Sequence, residues 1–224
     1  AQLSRGLGDV YKRQIIGCIN YSKEITLSPI KKIDQLTERD GLPKELCELL
    51  NKYPRDTWTK DTLNGNWVGF WLGRHSVFRE ICNSLKHIIN QLLDGSISHQ
   101  NFMKQYIHLM NMMLHNLDSH HAVEDNYIFP KFHQKSEKFR YGLELLENDH
   151  HLIHQSIDTL TSEGNKIIRT FNEKKDIDHK LLIGSYSKVN DDFDKLLIAH
   201  LHDEEDLLIP LVSEYGEEYF GLGH

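Results

Sequence analysis

The sequence is short of basic residues and has no long apolar run, and each shortage excludes a class of protein. Its 26 Lys and Arg against 33 Asp and Glu give a formal charge of -7. This balance argues against nucleic acid or an anionic membrane surface as the main partner, because both select for clustered basic residues. No apolar run approaches the roughly 18 residues that a transmembrane helix needs, and the start of the chain has no signal-peptide core. We therefore expect a cytoplasmic protein.

Cysteine is also scarce, whereas histidine is abundant. Cys18, Cys47 and Cys82 are odd in number and far apart. They predict neither a disulfide framework nor a thiolate zinc site, and a reducing compartment fits this usage. The chain has 15 histidines in 224 residues. Its function should therefore be sought among the histidines.

Two N-terminal segments are predicted to lie outside the main domain. Residues 1–14 contain Asp-Val-Tyr-Lys-Arg-Gln, which one reading frame of a common sequencing adapter encodes, so we expect an artefact of sequence assembly. Residues 15–60 show short helical signals and no chemical motif. A Ser-Pro pair and a glycine bound one expected helix over 28–41, and a second is expected over 43–51. This segment is predicted to be a small helical appendage.

The rest of the chain is predicted to be helical throughout. Apolar residues recur at three- and four-residue spacing in four stripes, over 71–92, 106–117, 143–160 and 189–211. The connections are expected at 94–98, around 130–136 and around 164–178. Short links between long amphipathic helices favour antiparallel neighbours. We therefore predict an all-α fold, an antiparallel up-down-up-down four-helix bundle over residues 66–215.

Each of the four helices carries a histidine on its apolar stripe, and these are His75, His120, His150 and His200. A lone histidine on an apolar face is ordinarily a hydrogen-bonded core residue, but four on four helices each need a buried polar partner. Glu124 follows His120 at i+4, and Glu204 follows His200 at the same spacing, so each pair shares one helix face. Unpaired buried carboxylates are costly, and a metal cation is their natural compensation.

The two His-x-x-x-Glu segments are copies of each other. Residues 120–130 align without gaps on residues 200–210, and the His, the Glu and a final Pro coincide. We expect each proline to end its helix. His75 and His150 recur at nearly the same interval, which predicts two helix hairpins related by a pseudo-twofold axis. A dinuclear metal site lies naturally on such an axis.

His154, one turn beyond His150, is a seventh candidate ligand. Imidazole and carboxylate ligands without thiolate favour iron, with manganese as the substitute, over structural zinc. Five histidines and two bridging glutamates would leave about one open position on two six-coordinate ions, enough for a small ligand. Without His154 about two positions would be open, which favours substrate chemistry at the metal.

The pattern of two single histidines and two His-x-x-x-Glu motifs resembles the hemerythrin-like (HHE cation-binding) domain family over about residues 66–215. The resemblance implies a centre of two non-haem iron ions, with oxo or hydroxo and carboxylate bridges, that binds O2, NO or peroxide. It implies seven metal ligands, with both glutamates bridging: His75, His120, Glu124, His150, His154, His200 and Glu204. His154 matches the additional histidine of the oxygen-carrying members.

Three functions are compatible with this pattern. The first is reversible O2 binding for storage, delivery or sensing. The second is a di-iron enzyme that acts on NO or peroxide, or that repairs iron-sulfur clusters. The helical appendage is similar to that of the repair proteins, although their close cysteine pair is not matched by the separated Cys18 and Cys47. The third is iron sensing, in which metal occupancy stabilises the bundle and a partner reads that state.

Two further predictions concern residues beside the motifs. We expect His121 to be a solvated or rim residue, although a position behind a metal ligand is the alternative. The acidic run 203–206, apart from Glu204, is expected to be a solvated helix face.

Overall fold

The computed structural model describes residues 30–58, 66–135, 139–173 and 179–222. Within these ranges the regular secondary structure is helical, with no strand. In chain order the α-helices are α1 Glu48–Lys52, α2 Asn66–Asp94, α3 His99–Val123, α4 Phe129–His133, α5 Arg140–Glu173 and α6 His179–Tyr215. The expected adapter artefact at 1–14 and the start of the helix expected over 28–41 lie outside the described residues.

The four long helices α2, α3, α5 and α6 are amphipathic, and each buries one apolar stripe. On α2, for example, Phe78, Leu85 and Ile89 are all at most 1% exposed, and their separations of seven and four residues place them on one helix face. Gly95, with φ +78°, follows the last residue of α2, and the four residues 95–98 connect α2 to α3. Such short connections make successive helices antiparallel. The predicted all-α four-helix bundle is therefore confirmed.

Three of the expected helix breaks are wrong, because Pro130, Gly164 and Pro210 all lie inside helices. Pro210 stands among the buried side chains 207–212, and burial of these outweighs the roughly 3 kcal/mol cost of an interior proline. Pro130 follows a π-helical turn, Glu124–Ile128, in which Phe129 N–H donates to the carbonyl of Glu124. The π-helical turn and the proline therefore interrupt the regular i to i+4 backbone hydrogen bonds of the helix at the same place.

The appendage is less helical than expected. In the described part of 28–41 the regular element is one 3-10 turn, Lys32–Asp34, so the predicted helix there is wrong. Asp34 and Leu36 are both buried, a two-residue spacing that a helix would place on opposite faces. The second expected helix is a 3-10 turn, Lys44–Leu46, followed by α1. Leu46 and Trp58 pack against the apolar core formed by α2, α4, α5 and α6.

The chain divides into two compact units, and each contains one segment of every long helix. Unit 1 includes 78–118 and 154–194, and unit 2 includes 22–77, 119–153 and 195–224. Among the described residues, all eight buried acidic side chains belong to unit 2: Asp34, Glu124, Asp125, Glu147, Asp149, Asp203, Glu204 and Glu205. None of the described helices is both long and apolar enough to cross a membrane.

Candidate metal centre

Four helices and the π-helical turn bring histidines and glutamates together inside unit 2. The six residues of the repeated pattern are at most 6% exposed: His75, His120, Glu124, His150, His200 and Glu204. They lie on the inner faces because each falls in register with the apolar stripe of its helix. The structure therefore places together six of the seven residues that the sequence predicts as ligands.

The side chains form two groups of candidate ligand atoms. His75, His120, Glu124 and Glu204 make up the first group. His121, His150 and His200 make up the second. Within each group every residue offers one ligand atom that lies within 4.8 Å of the others. Such spacing lets each group close around one metal ion.

Each glutamate faces one imidazole from each group. Glu124 Oε1 is 3.1 Å from His120 Nε2, and its Oε2 is 3.7 Å from His150 Nε2. Glu204 Oε2 is 3.4 Å from His75 Nε2 and 3.6 Å from His200 Nε2. Both carboxylates therefore stand between the two groups, where a ligand shared by two metal ions would stand.

Three of the imidazoles have a second carboxylate on their outer nitrogen. The contacts are His75 Nδ1 to Glu205 at 2.9 Å, His150 Nδ1 to Asp125 at 2.9 Å, and His200 Nδ1 to Asp149 at 3.6 Å. The two contacts at 2.9 Å are hydrogen bonds, so they favour the tautomer with the proton on Nδ1 and orient the rings of His75 and His150. The 3.6 Å separation at His200 is longer than a hydrogen bond. The Nε2 atoms then face the glutamates with a lone pair available for a metal.

Burial controls the charge of the centre. It raises the pKa of the Glu204 carboxyl well above its usual range, and the nearby Glu124 raises it further. Burial likewise raises the pKa of Glu124, against the effect of a hydrogen bond from Trp71. For His120, burial lowers the pKa well below its usual value, and His75 and His200 lower it further. The centre therefore favours neutral imidazoles and protonated carboxyls unless a cation is bound.

The donor set fits a metal. Apart from the Glu124 carboxyl, the described chain gives neither oxygen of Glu204 a hydrogen-bond partner, and His200 Nε2 makes no hydrogen bond. Buried polar atoms in this condition are costly, and coordination would satisfy them. Neutral imidazole and carboxylate are ligands of iron, manganese and zinc alike. The His/Glu cluster is thus capable of binding metal.

A cavity of about 170 Å³ leads to the first group. His120 and Glu124 form its inner end, and Trp67, Trp71 and Arg74 are among its other lining residues. Trp71 Nε1 donates to Glu124 Oε1 at 2.7 Å, which fixes that carboxylate from the cavity side. A larger surface groove in unit 1, about 420 Å³, is lined by no member of either group. Of these two cavities, the smaller is the one that gives a ligand access to the first group.

The structure corrects two expectations and leaves a third as a prediction. His121 is fully buried and stacks on His150 with ring centroids 3.8 Å apart, so its expected rim position is wrong. Asp203 and Glu205 are buried as well, so the expected solvated face is wrong. The appendage covers that face of α6, which local spacing could not reveal. His154 is buried but belongs to neither group, and its role as a ligand stays a prediction.

These features define an all-helical protein with a buried histidine and carboxylate site for cations. Residues 68–212, about two thirds of the chain, match the hemerythrin HHE cation binding domain. The chain belongs to this family. No curated protein and no solved structure matches it.

Proposed function

We propose that the protein holds two iron ions at this centre and reversibly binds O2 there, for storage, delivery or sensing. The observation that supports a dinuclear centre is the position of Glu124 and Glu204, each facing one imidazole from each group. Ligands without thiolate favour iron, or manganese as its substitute, over structural zinc.

The two groups suggest how the ions would be shared. His75 and His120 would hold one ion, and His150 and His200 the other, with both glutamates bridging. A fifth histidine would complete the second ion. Geometry favours His121 for that place, whereas the family resemblance favours His154.

The residues of the cavity suit a small ligand. When bound, ferrous ions would supply the electrons that O2, NO or peroxide accepts. The indoles of Trp67 and Trp71 give the cavity largely apolar walls, and its volume of about 170 Å³ suits a small ligand. Trp71 also holds Glu124 in place through its N–H. These properties favour a diatomic molecule over a large organic substrate.

The test is the metal content and the visible spectrum of anaerobically purified protein before and after air is admitted. We expect about two irons per chain and an oxygen-dependent charge-transfer band that disappears when oxygen is removed. Glu204→Gln should lower the iron content, whereas the matched change of an exposed glutamate, Glu218→Gln, should not. An iron-loaded sample that never gives the band would contradict reversible O2 binding.

The same experiment separates the enzymatic alternative. Two irons that oxidise irreversibly, without a stable oxygen adduct, would favour turnover of NO or peroxide or the repair of iron-sulfur clusters. The observations on this side are that His154 lies outside both groups and that His121 stacks on His150. If His121 supports His150 without binding metal, six protein ligands leave more positions open to a substrate. Turnover assays with NO and peroxide, and restoration of a damaged cluster enzyme, would then decide.

A further inference from the structure

The appendage places a buried arginine against the bundle. The Arg39 side chain is 4% exposed. Its Nη1 and Nη2 donate to the two oxygens of Asp149, Nη1 at 3.0 Å, and its Nε donates to Asp203 at 2.7 Å. A guanidinium fork that meets a carboxylate with two parallel hydrogen bonds is both strong and directional. Arg39 therefore fixes the orientation of the Asp149 carboxylate.

A second arginine of the appendage acts on another carboxylate. Arg55 Nη1 lies 3.2 Å from Glu205 Oε2, and its Nε donates to Asp206 at 2.6 Å. Its third contact, from Nη2 to the carbonyl of His202, is 3.0 Å. The guanidinium also covers the ring of Trp58 at 4.9 Å. Arg55 thus reaches the buried Glu205 from the surface side.

Two of the carboxylates that these arginines hold also lie beside candidate metal ligands. Glu205 contacts His75 Nδ1 at 2.9 Å through its other oxygen, Oε1. Asp149 Oδ2 lies 3.6 Å from His200 Nδ1. Two chains of contact therefore run from the appendage to the centre, one into each group of candidate ligand atoms.

We propose that Arg39 and Arg55 are positioning residues for the metal centre, and that docking of residues 30–58 is thermodynamically coupled to metal binding. This inference rests on the proposed ligands but not on O2 as the bound molecule. Arg55 orients Glu205, which is hydrogen-bonded to His75, and Arg39 holds Asp149 beside His200. Carboxylate partners of ligand histidines commonly change metal affinity by 10- to 100-fold. Coupling is reciprocal, so metal binding strengthens the docking by the same factor.

The test compares arginine variants with a matched control on the same appendage. Lys52 pairs with Glu214, which makes the control Lys52→Gln remove an ion pair between appendage and α6 without touching Glu205 or Asp149. We expect Arg55→Gln and Arg39→Gln to release ferrous iron to a chelator about tenfold faster than the wild type. Lys52→Gln should release it at the wild-type rate.

Hydrogen exchange supplies the second readout. In the wild type and in Lys52→Gln, anaerobic loading with ferrous iron should slow the exchange of amides in 30–58. In Arg55→Gln this slowing should be clearly weaker, since only the contacts through Arg39 remain. Since the Arg55 side chain is 42% exposed, this variant should fold even if Arg39→Gln does not, and it then decides alone.

The outcomes separate this inference from the proposed function. The coupling is overturned if both arginine variants, or Arg55→Gln alone where it is the folded one, match Lys52→Gln in iron release and in exchange. If the wild type holds two irons in that case, the proposed centre stands and only the coupling fails. A wild type that holds fewer than two irons contradicts the proposed centre itself.

Discussion

Raising the pH from 7 to 8 should destabilise the metal-free protein. Burial, with a smaller effect of Glu147, raises the pKa of Asp125 from an ordinary 3.8 to about 8. In this interval the native state keeps a proton that the unfolded chain has already lost. The free energy of unfolding therefore falls as the pH rises through the folded-state pKa.

The expected loss is about 1 kcal/mol between pH 7 and 8 for one carboxyl with a folded-state pKa near 8. Burial also raises the pKa values of Glu124 and Glu204, so the ionisation of each lowers the free energy of unfolding further as the pH rises. His120 does not mask the effect. Burial lowers the pKa of His120, so its imidazole is neutral in the native state at pH 7. Its contribution to the free energy of unfolding changes mainly below pH 6.5, where the imidazole of the unfolded chain takes up a proton.

The assay is urea unfolding of chelator-treated protein at pH 7 and pH 8, followed by circular dichroism. Asp125→Asn is the control, because the amide oxygen can still accept from His150 Nδ1 but cannot ionise. This variant should lose about 1 kcal/mol less over the interval. With metal bound the sign should reverse, because deprotonated ligands bind metal more tightly as the pH rises. Metal-free stability that stays constant or rises between pH 7 and 8 would contradict the raised pKa of Asp125.

Three further predictions follow from contacts in the two units. Trp71→Phe removes the indole donor to Glu124, so we expect metal affinity to fall by about tenfold in a competition titration. His121→Gln should lower the iron content more than His154→Gln, because only His121 belongs to a ligand group, and the reverse order would support the family pattern. Gly164→Ala places a methyl group against a buried tyrosine hydroxyl and should cost about 1–3 kcal/mol of unfolding free energy, whereas Gly184→Ala has open space and should not destabilise.

Helix periodicity was sufficient to predict the inner members of the centre. A histidine in register with an apolar stripe must face the core, and an i+4 glutamate must share its face. These two rules place His120 with Glu124 and His200 with Glu204, as the structure does. Both rules are local, which is why they needed no knowledge of how the helices pack.

The outer carboxylates could not be predicted in the same way. Asp125 lies in the π-helical turn, where the extra residue changes the register that a regular helix would give. Asp203 is buried because Arg39, 164 residues earlier in the chain, covers it. Neither a local change in helix type nor an ion pair between distant segments produces a periodic pattern of residues that the sequence would reveal. The same limit explains why the appendage showed no motif.

The buried acids of unit 2 link the candidate metal centre to the appendage through their charge. Eight acidic side chains are buried there. Among the described ion pairs, the one arginine or lysine side chain that is buried is that of Arg39. Neutral imidazoles do not offset this charge. The native state must therefore either hold protons, as the raised pKa values of Glu124 and Glu204 indicate, or bind cations. Arg39 supplies one cation through the fold, and bound metal would supply further positive charge, so we expect the stability of unit 2 to depend on both.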